Sequence, residues 1–257
     1  MNLVDASTVE LRRAAREGRL TGPTAGLARG FAQANLVVVP RDLAGDFALF
    51  CQRNPKPCPL LEVTEAGSWE PRRSAPGADL RTDLPAYCVY EHGRLIAEPR
   101  DIVSWWRDDL VCFLLGCSFT FEDALVKASL PVRHLECGCN VPMFRTRVAC
   151  EPAGVFRGPL VVSMRPMTLA QAQQATEICS HFTTAHGVPV HIGDPSAIGI
   201  SDLHRPDYGD AVPIHDGEVP VFWACGVTPQ AVALDAKPPL LITHKPGHMF
   251  VTDLVSE

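Results

Sequence analysis

The stretch Leu160–Pro195, LVVSMRPMTLAQAQQATEICSHFTTAHGVPVHIGDP, decides the fold class. Its apolar run Leu160–Ser163 stops at Met164-Arg165-Pro166, a helical period follows over Leu169–Phe182, and a second run, Val188–Ile192, stops at Gly193-Asp194-Pro195. Strand, helix, strand is the signature of a βαβ unit. The pattern continues downstream. Val219–Ala224 stops at Cys225-Gly226, a helix is predicted over Pro229–Asp235, and Leu240–Thr243 stops at His244. Short β-rich runs that deliver charged, thiol and imidazole groups at their carboxyl ends are how open α/β sheets build ligand sites. One pocket is therefore expected for Arg165, Asp194, Cys225 and His244, in an α/β fold with a mixed or parallel sheet.

Upstream, Thr8–Glu17 reads as a helix ended by Gly18. Thr21-Gly22-Pro23 opens a second helix with proline at its first position, and Gly22, Gly26 and Gly30 would lie on one closely packed face. Leu36–Val39 is a strand stopped by Pro40, Asp42–Gln52 a helix, and Leu60–Thr64 a strand. Tyr87–Tyr90 and Leu95–Ala97 form a hairpin, Asp101–Trp106 a short helix, and Phe121–Ser129 a helix after Gly116-Cys117-Ser118. Asp109–Leu115 is apolar throughout, so its period decides nothing. Val132–Glu136 reads as a strand followed by irregular loop to Gly158, and Met249–Thr252 as a last strand. No internal repeat is evident. The hairpin and loops of 65–158 suggest a smaller unit set into a main sandwich of 1–64 and 159–257.

Composition narrows the class. With 46% hydrophobic and 20% charged residues in 257, the chain is an ordinary globular protein with a sizeable core. A net charge of −6 argues against a nucleic-acid binder, which needs a basic face. No apolar stretch reaches the roughly 20 residues needed to span a bilayer. The segment from Met1 to Arg19 lacks the apolar core of a secretory signal, so a cytoplasmic location is expected. Ten cysteines occur without any C-x-x-C, and Cys137-Gly138-Cys139 is too tight for a zinc knuckle. Most are read as small reduced hydrophobes; Cys117 and Cys225 stand apart because each sits in a turn. No phosphate-binding glycine pattern is present, so no organic cofactor is expected. His244 and His248 invite a metal reading, but Lys245-Pro246-Gly247 breaks any helix that would put them on one face. A divalent ion held by residues distant in sequence stays open, as does a homo-oligomer.

Several strings taken together resemble one known group. They include Gly22-Pro23-Thr24-Ala25-Gly26-Leu27-Ala28, Phe50-Cys51-Gln52-Arg53-Asn54-Pro55-Lys56-Pro57-Cys58-Pro59 and Phe113-Leu114-Leu115-Gly116-Cys117-Ser118-Phe119. Asn140-Val141-Pro142-Met143, Val190-His191-Ile192-Gly193-Asp194-Pro195, Phe222-Trp223-Ala224-Cys225-Gly226-Val227-Thr228-Pro229-Gln230 and Pro246-Gly247-His248-Met249 complete the series. Their order and spacing resemble the D-glutamate cyclase family over almost the whole chain. The resemblance implies a three-layer αβα sandwich with a smaller two-layer α+β part. It also implies dehydration of D-glutamate to 5-oxo-D-proline, the activity of the family's mitochondrial members; bacterial members carry provisional hydro-lyase names.

That chemistry sets four demands. The α-carboxylate wants a cationic clamp, and Arg145 with Arg165 could form one. The ammonium must lose a proton to a nearby base, for which Asp194 and His244 are candidates, as is a thiolate at Cys117. The oxyanion wants fixed N–H donors, which the Cys225-Gly226-Val227-Thr228-Pro229 turn would supply, with Thr228 as N-cap. The departing oxygen wants a proton. Ser118, Asn140, Gly226 and Thr228 join Arg145 and Arg165 as substrate-binding candidates, and Cys225 joins Cys117, Asp194 and His244 as catalytic ones. Glu122, in the first turn of its helix, also fits a simple dipole partner. Two other readings remain: a dehydratase or lactam-handling enzyme with another substrate, and a non-catalytic sensor of a small carboxylic acid.

Overall fold

The computed structural model describes residues 3–256. Its first buried strand, β1 (Phe31–Pro40), shows why the elements fall where they do. The β-branched run Val37-Val38-Val39 suits a buried strand, and Pro40, with no N–H to donate, ends it and opens α2 (Arg41–Arg53). Around β1 runs a larger sheet in the order β2 (Leu60–Val63), β5 (Leu110–Gly116), β1, β10 (Leu241–His244), β3 (Tyr87–Glu91), β4 (Arg94–Ala97); β11 (Phe250–Val255) also pairs with β1. A smaller sheet runs β6 (Met143–Ala149), β7 (Pro159–Thr168), β9 (Glu218–Ala224), β8 (His191–Ile192).

The α/β class holds, but the mixed sheet does not: the pairings in both sheets are antiparallel. The unit read from Leu160–Pro195 exists as β7, α5 (Leu169–Cys179) and β8. Its two strands run parallel to each other, yet β9 lies between them and pairs with both. The proposed 65–158 unit is also corrected, because β3, β4 and β5 belong to the larger sheet and β6 to the smaller. Asp109–Leu115 resolves as strand β5. The second N-terminal helix is absent, since Gly26, Ala28 and Gly30 take left-handed φ values of 75°, 52° and 81° that no right-handed helix tolerates. Val132–Glu136 is not a strand but the short helix α4 (Arg133–Cys137), closed by Gly138 in the left-handed region.

The two sheets are one structure used twice. Strands β8–β9–β7–β6 correspond to β2–β5–β1–β11. Strands β1 and β7 each run straight into a helix, α2 and α5. Ala34 pairs with Gly116 and Phe250; Val162 pairs with Ala224 and Phe144. Hydrogen bonds repeat as well. Gln33 N–H donates to Thr120 Oγ1 at 3.2 Å, and Val161 N–H to Thr228 Oγ1 at 3.0 Å. Thr252 Oγ1 donates to the Ala32 carbonyl at 2.7 Å, and Thr146 Oγ1 to the Leu160 carbonyl at 2.8 Å. The matching strings are Cys117-Ser118-Phe119-Thr120-Phe121-Glu122 with Cys225-Gly226-Val227-Thr228-Pro229-Gln230, and Met143-Phe144-Arg145-Thr146 with Met249-Phe250-Val251-Thr252. An internal repeat is therefore present, which the sequence reading missed.

The copies are interlocked. Strand β6 follows α3 (Phe119–Lys127) of the first copy but pairs with β7 of the second, while β11 follows α6 (Val227–Asp235) and pairs with β1 of the first. Helices cross over too. Phe121 and Leu125 of α3 pack with Val221 and Trp223, and Val232 and Ala233 of α6 pack with Val37, Phe47 and Phe113. Such reciprocal contact is that of an isologous dimer, here within one chain. Among the described residues no helix is long and apolar enough to cross a membrane.

Candidate functional site

Two equivalent turns meet where the copies join. Strand β5 ends into Cys117-Ser118 and α3; β9 ends into Cys225-Gly226 and α6. Neither helix has a side-chain cap. Asn35 of β1 bridges the turns: its Nδ2 donates to the Leu115 and Gly116 carbonyls at 3.2 and 2.9 Å. A Cβ on Gly226 would sit 2.1 Å from that same Nδ2, so glycine is needed for the approach. Gly226→Ala is expected to cost about 2–4 kcal/mol by displacing a buried, bonded amide. Adding Asn35→Ala should recover part of that loss, a non-additivity that urea denaturation of the single and double variants would reveal.

In the second copy a serine, Ser163, stands where Asn35 stands in the first, and a guanidinium fills the space. Arg165 is fully buried. Its Nη1 donates to Ser163 Oγ at 3.1 Å and its Nη2 to Ser118 Oγ at 3.2 Å and to Glu122 Oε1. The guanidinium carbon lies 5.2 Å from the Phe121 ring centroid and 5.3 Å from that of Trp223. Glu122 Oε1 is also 3.2 Å from His134 Nε2 on α4, a close contact without hydrogen-bond geometry. Burial pushes the Glu122 carboxyl up, but its contacts with His134 and Arg165 outweigh that and hold the group below its ordinary value. Arg165 Nε, Glu122 Oε2 and both ring nitrogens of His134 are buried without a hydrogen-bond partner. Orphaned groups of this kind are costly unless something else satisfies them.

Cavities reach this cluster. One of about 430 Å³ is lined by His134, Asn140, Asp210 and Phe119; a neighbour of about 110 Å³ is lined by Glu122, Thr120 and the 26–31 loop. Phe119 and Leu135 line both.

The structure gathers some of the residues the sequence singled out and scatters others. Cys117, Ser118, Arg165, Cys225 and Gly226 meet at the joined turns. Burial pushes the thiol of Cys117 up to about 12 and that of Cys225 up to about 11, so both are protonated near neutrality rather than thiolate. His244 lies beside them: its Nδ1 accepts from Leu36 N–H at 3.1 Å and lies 2.7 Å from Gln230 Nε2. Burial pulls that imidazole down to about 4. Asn140 lines the larger cavity, with its N–H donated to Asp210.

Three expectations fail. Thr228 is not the N-cap of α6; Gly226 is, and the buried Thr228 hydroxyl instead bonds the N–H and carbonyl of Val161 at 3.0 and 3.1 Å. Asp194 is exposed and spent on its own turn, accepting from Ser196 N–H and Oγ at 2.9 and 2.7 Å, which also lower its pKa. Arg145 does not pair with Arg165. It faces Val161 in the register, about 14 Å along the sheet from Arg165, and binds Asp235 at 3.0 Å and Tyr208 at 3.4 Å.

The sequence profile of the D-glutamate cyclase family matches residues 111–253. A provisionally named hydro-lyase of Stutzerimonas stutzeri is 59% identical, covering 100% of this chain and 98% of its own. Provisionally named hydro-lyases of Rubrobacter xylanophilus (62%, over 95% and 94%) and Bacillus subtilis (58%, over 96% of each chain) are similar to the same extent. The chain belongs to the D-glutamate cyclase family. Among solved structures, a nitrogen repressor-like protein from Methanococcus jannaschii aligns over 91% of both chains at 10% identity with a TM-score of 0.40, too distant to inform the site.

The match to the D-glutamate cyclase profile spans Cys117, Glu122, His134, Asn140, Arg165, Cys225 and His244, whereas Asn35 lies outside it. Nothing in the local sequence marks Asn35, Ser163 or His134, and Glu122 reads there as a simple helix-dipole partner. The repeated C-[SG]-x-T-x-[EQ] string was the available signal, because it sets Glu122 against Gln230 as the position where the copies differ in charge.

Proposed function

We propose that the protein is a hydro-lyase that closes a small amino dicarboxylic acid, D-glutamate, to its lactam, 5-oxo-D-proline, with loss of water. One observation carries the reading: the buried Arg165–Glu122–His134 cluster keeps unpartnered polar atoms, and its members His134 and Glu122 line adjoining cavities from which a carboxylate could reach them. In this reading Arg165 Nε takes the α-carboxylate as a charge-assisted bond. His134, oriented by Glu122, accepts a proton from the α-ammonium. The freed amine forms the C–N bond at the γ-carboxyl carbon. The oxyanion that develops faces the uncapped first turn of α3, whose dipole favours negative charge. His134 then returns that proton to the departing oxygen, and the nitrogen gives up its second proton to the same oxygen as the amide forms, so that the oxygen leaves as water. The protonated thiols of Cys117 and Cys225 act as neutral walls rather than nucleophiles.

The steps use no organic cofactor, and the cytoplasm suits a chain of unpaired cysteines. The test is incubation of the purified protein with D- and L-glutamate, with 5-oxoproline measured by chiral chromatography. D-selective formation that is lost at least a hundredfold in His134→Gln is expected, since a positioned base is worth about 10²–10⁴. Saturable binding of D-glutamate without turnover would favour the sensor reading instead.

A further inference from the structure

The repeat gives the first copy's cavity a counterpart. A second cavity, of about 80 Å³, lies against α6 where the cavity of about 110 Å³ lies against α3. Val227 takes the place of Phe119, and Gln230, Ala231 and Leu234 take the places of Glu122, Asp123 and Val126. Met249 N–H, at the position equivalent to Met143, donates to Thr24 Oγ1, and Met143 N–H donates to the Tyr208 carbonyl. The chemistry has diverged. Where the first copy presents Glu122, His134 and Asp210, none of the residues lining the second carries a charge. Its walls are Met143, Val227, Ala231 and Leu234, and its polar groups are the Gln230 carboxamide and the hydroxyls of Tyr90, Tyr208 and Thr243.

We propose that this second cavity is a binding site for a small uncharged ring amide of the lactam class. A volume of about 80 Å³ is far below the roughly 300–1,000 Å³ of drug-sized pockets, so the occupant is a single small ring. A carboxylate here would be desolvated with no cation among the lining residues, which disfavours an acid. The carboxamide of Gln230 carries one acceptor and two donors in a plane. The cis amide of a lactam presents N–H and C=O side by side and can pair with both. Burial keeps the Tyr90 hydroxyl protonated, a neutral donor for the ring carbonyl. The methylenes of the ring would meet the apolar side chains. Because Gln230 also contacts His244, an occupant of this cavity lies one side chain away from the residue beside the joined turns. The site stands on the repeat and the cavity, independently of turnover at Glu122 and His134.

Methionine methyl NMR reads the proposal directly, with 2-pyrrolidinone as the probe. Met143 lines the cavity, while Met164 and Met167 are buried elsewhere and serve as internal references. A saturable shift of the Met143 methyl at about 1–10 mM probe is expected, with Met164 and Met167 unmoved. Ala231→Leu, which fills the cavity, should weaken binding at least about tenfold, and Leu234→Phe provides a second filling variant if the first fails to fold. The acid 5-oxo-D-proline, the same ring with a carboxylate, should bind at least about tenfold more weakly at Met143. No Met143 shift at about 50 mM, unchanged affinity in the filled variants, or equal affinity for the acid would overturn the assignment.

Discussion

Replacing Arg165 with methionine is expected to lower folding stability by about 3–5 kcal/mol and to abolish turnover. The cost comes from uncompensated charge. Glu122 is buried to 2% exposure and Arg165 to 0%, so removing the guanidinium strands a largely desolvated carboxylate. Ser118 and Ser163 lose their shared donor at the same time. The companion variant separates charge from packing: with Glu122→Gln added, the stranded charge is gone and a good part of the stability should return, since buried ion pairs are often replaceable by neutral groups. Urea unfolding of the two single variants and the double variant gives the coupling. If Arg165→Met alone cost less than about 1 kcal/mol, the cluster could not be the buried, desolvated centre described.

Acid should destabilise the protein through two histidines. Burial pulls both His186 and His244 down to about 4. In the unfolded chain each imidazole titrates near its ordinary value of about 6.5. Between those values the unfolded state binds more protons, so stability falls as pH drops. The contribution is complete above about pH 6.5 and is lost progressively toward pH 4, up to about 3 kcal/mol for each histidine. His186→Gln tests the share of one. Nδ1 of His186 lies 2.8 Å from the Lys56 carbonyl, a bond a glutamine amide can keep, while Nε2 is unpartnered. The variant should show a flatter loss of urea midpoint between pH 7.5 and 4.5, shallower by about one proton. An unchanged slope would mean that His186 titrates alike in both states.

The local elements were legible where side-chain period and breakers agree. Pro40 stopping β1 and the helical period of α5 are cases in point. Val132–Glu136 misled because a five-residue helix carries no period of its own, and its fate was set by Gly138 in the left-handed region. The glycines at 26 and 30 marked turns rather than a smooth helix face, which their spacing alone cannot distinguish. Strand direction was misread because the sequence order β7, α5, β8 does not show that β9 inserts between the two strands.

The repeat was hidden for a similar reason. Each copy carries an insertion at the same point, residues 64–109 between β2 and β5 and residues 193–217 between β8 and β9, and their different lengths destroy any fixed period. Strand exchange hid it further, since β6 and β11 complete the sheets of the opposite copies. The site was legible in part. Strand ends pointed to Cys225 and His244; Arg165 was singled out for a strand end, but β7 runs on through it to Thr168, and Asp194 ends its strand at the outer edge, where a proline-opened turn consumes its carboxylate. Arg145 matched the expected chemistry but sits at the sheet surface, committed to Asp235. His134 could be found only through its partner, because nothing in the order of residues places α4 against the start of α3.

The central claim is that the substrate's carboxylate is held at the junction of the two copies. A crystal structure of the protein soaked with glutarate, a dicarboxylate that cannot cyclise, tests it most directly. One carboxylate within hydrogen-bond distance of Arg165 or His134, in the cavity bounded by Phe119 and Asn140, is the expected result. Glutarate bound instead in the cavity lined by Arg145 and Arg205, with the Arg165 cluster unchanged, would contradict the account.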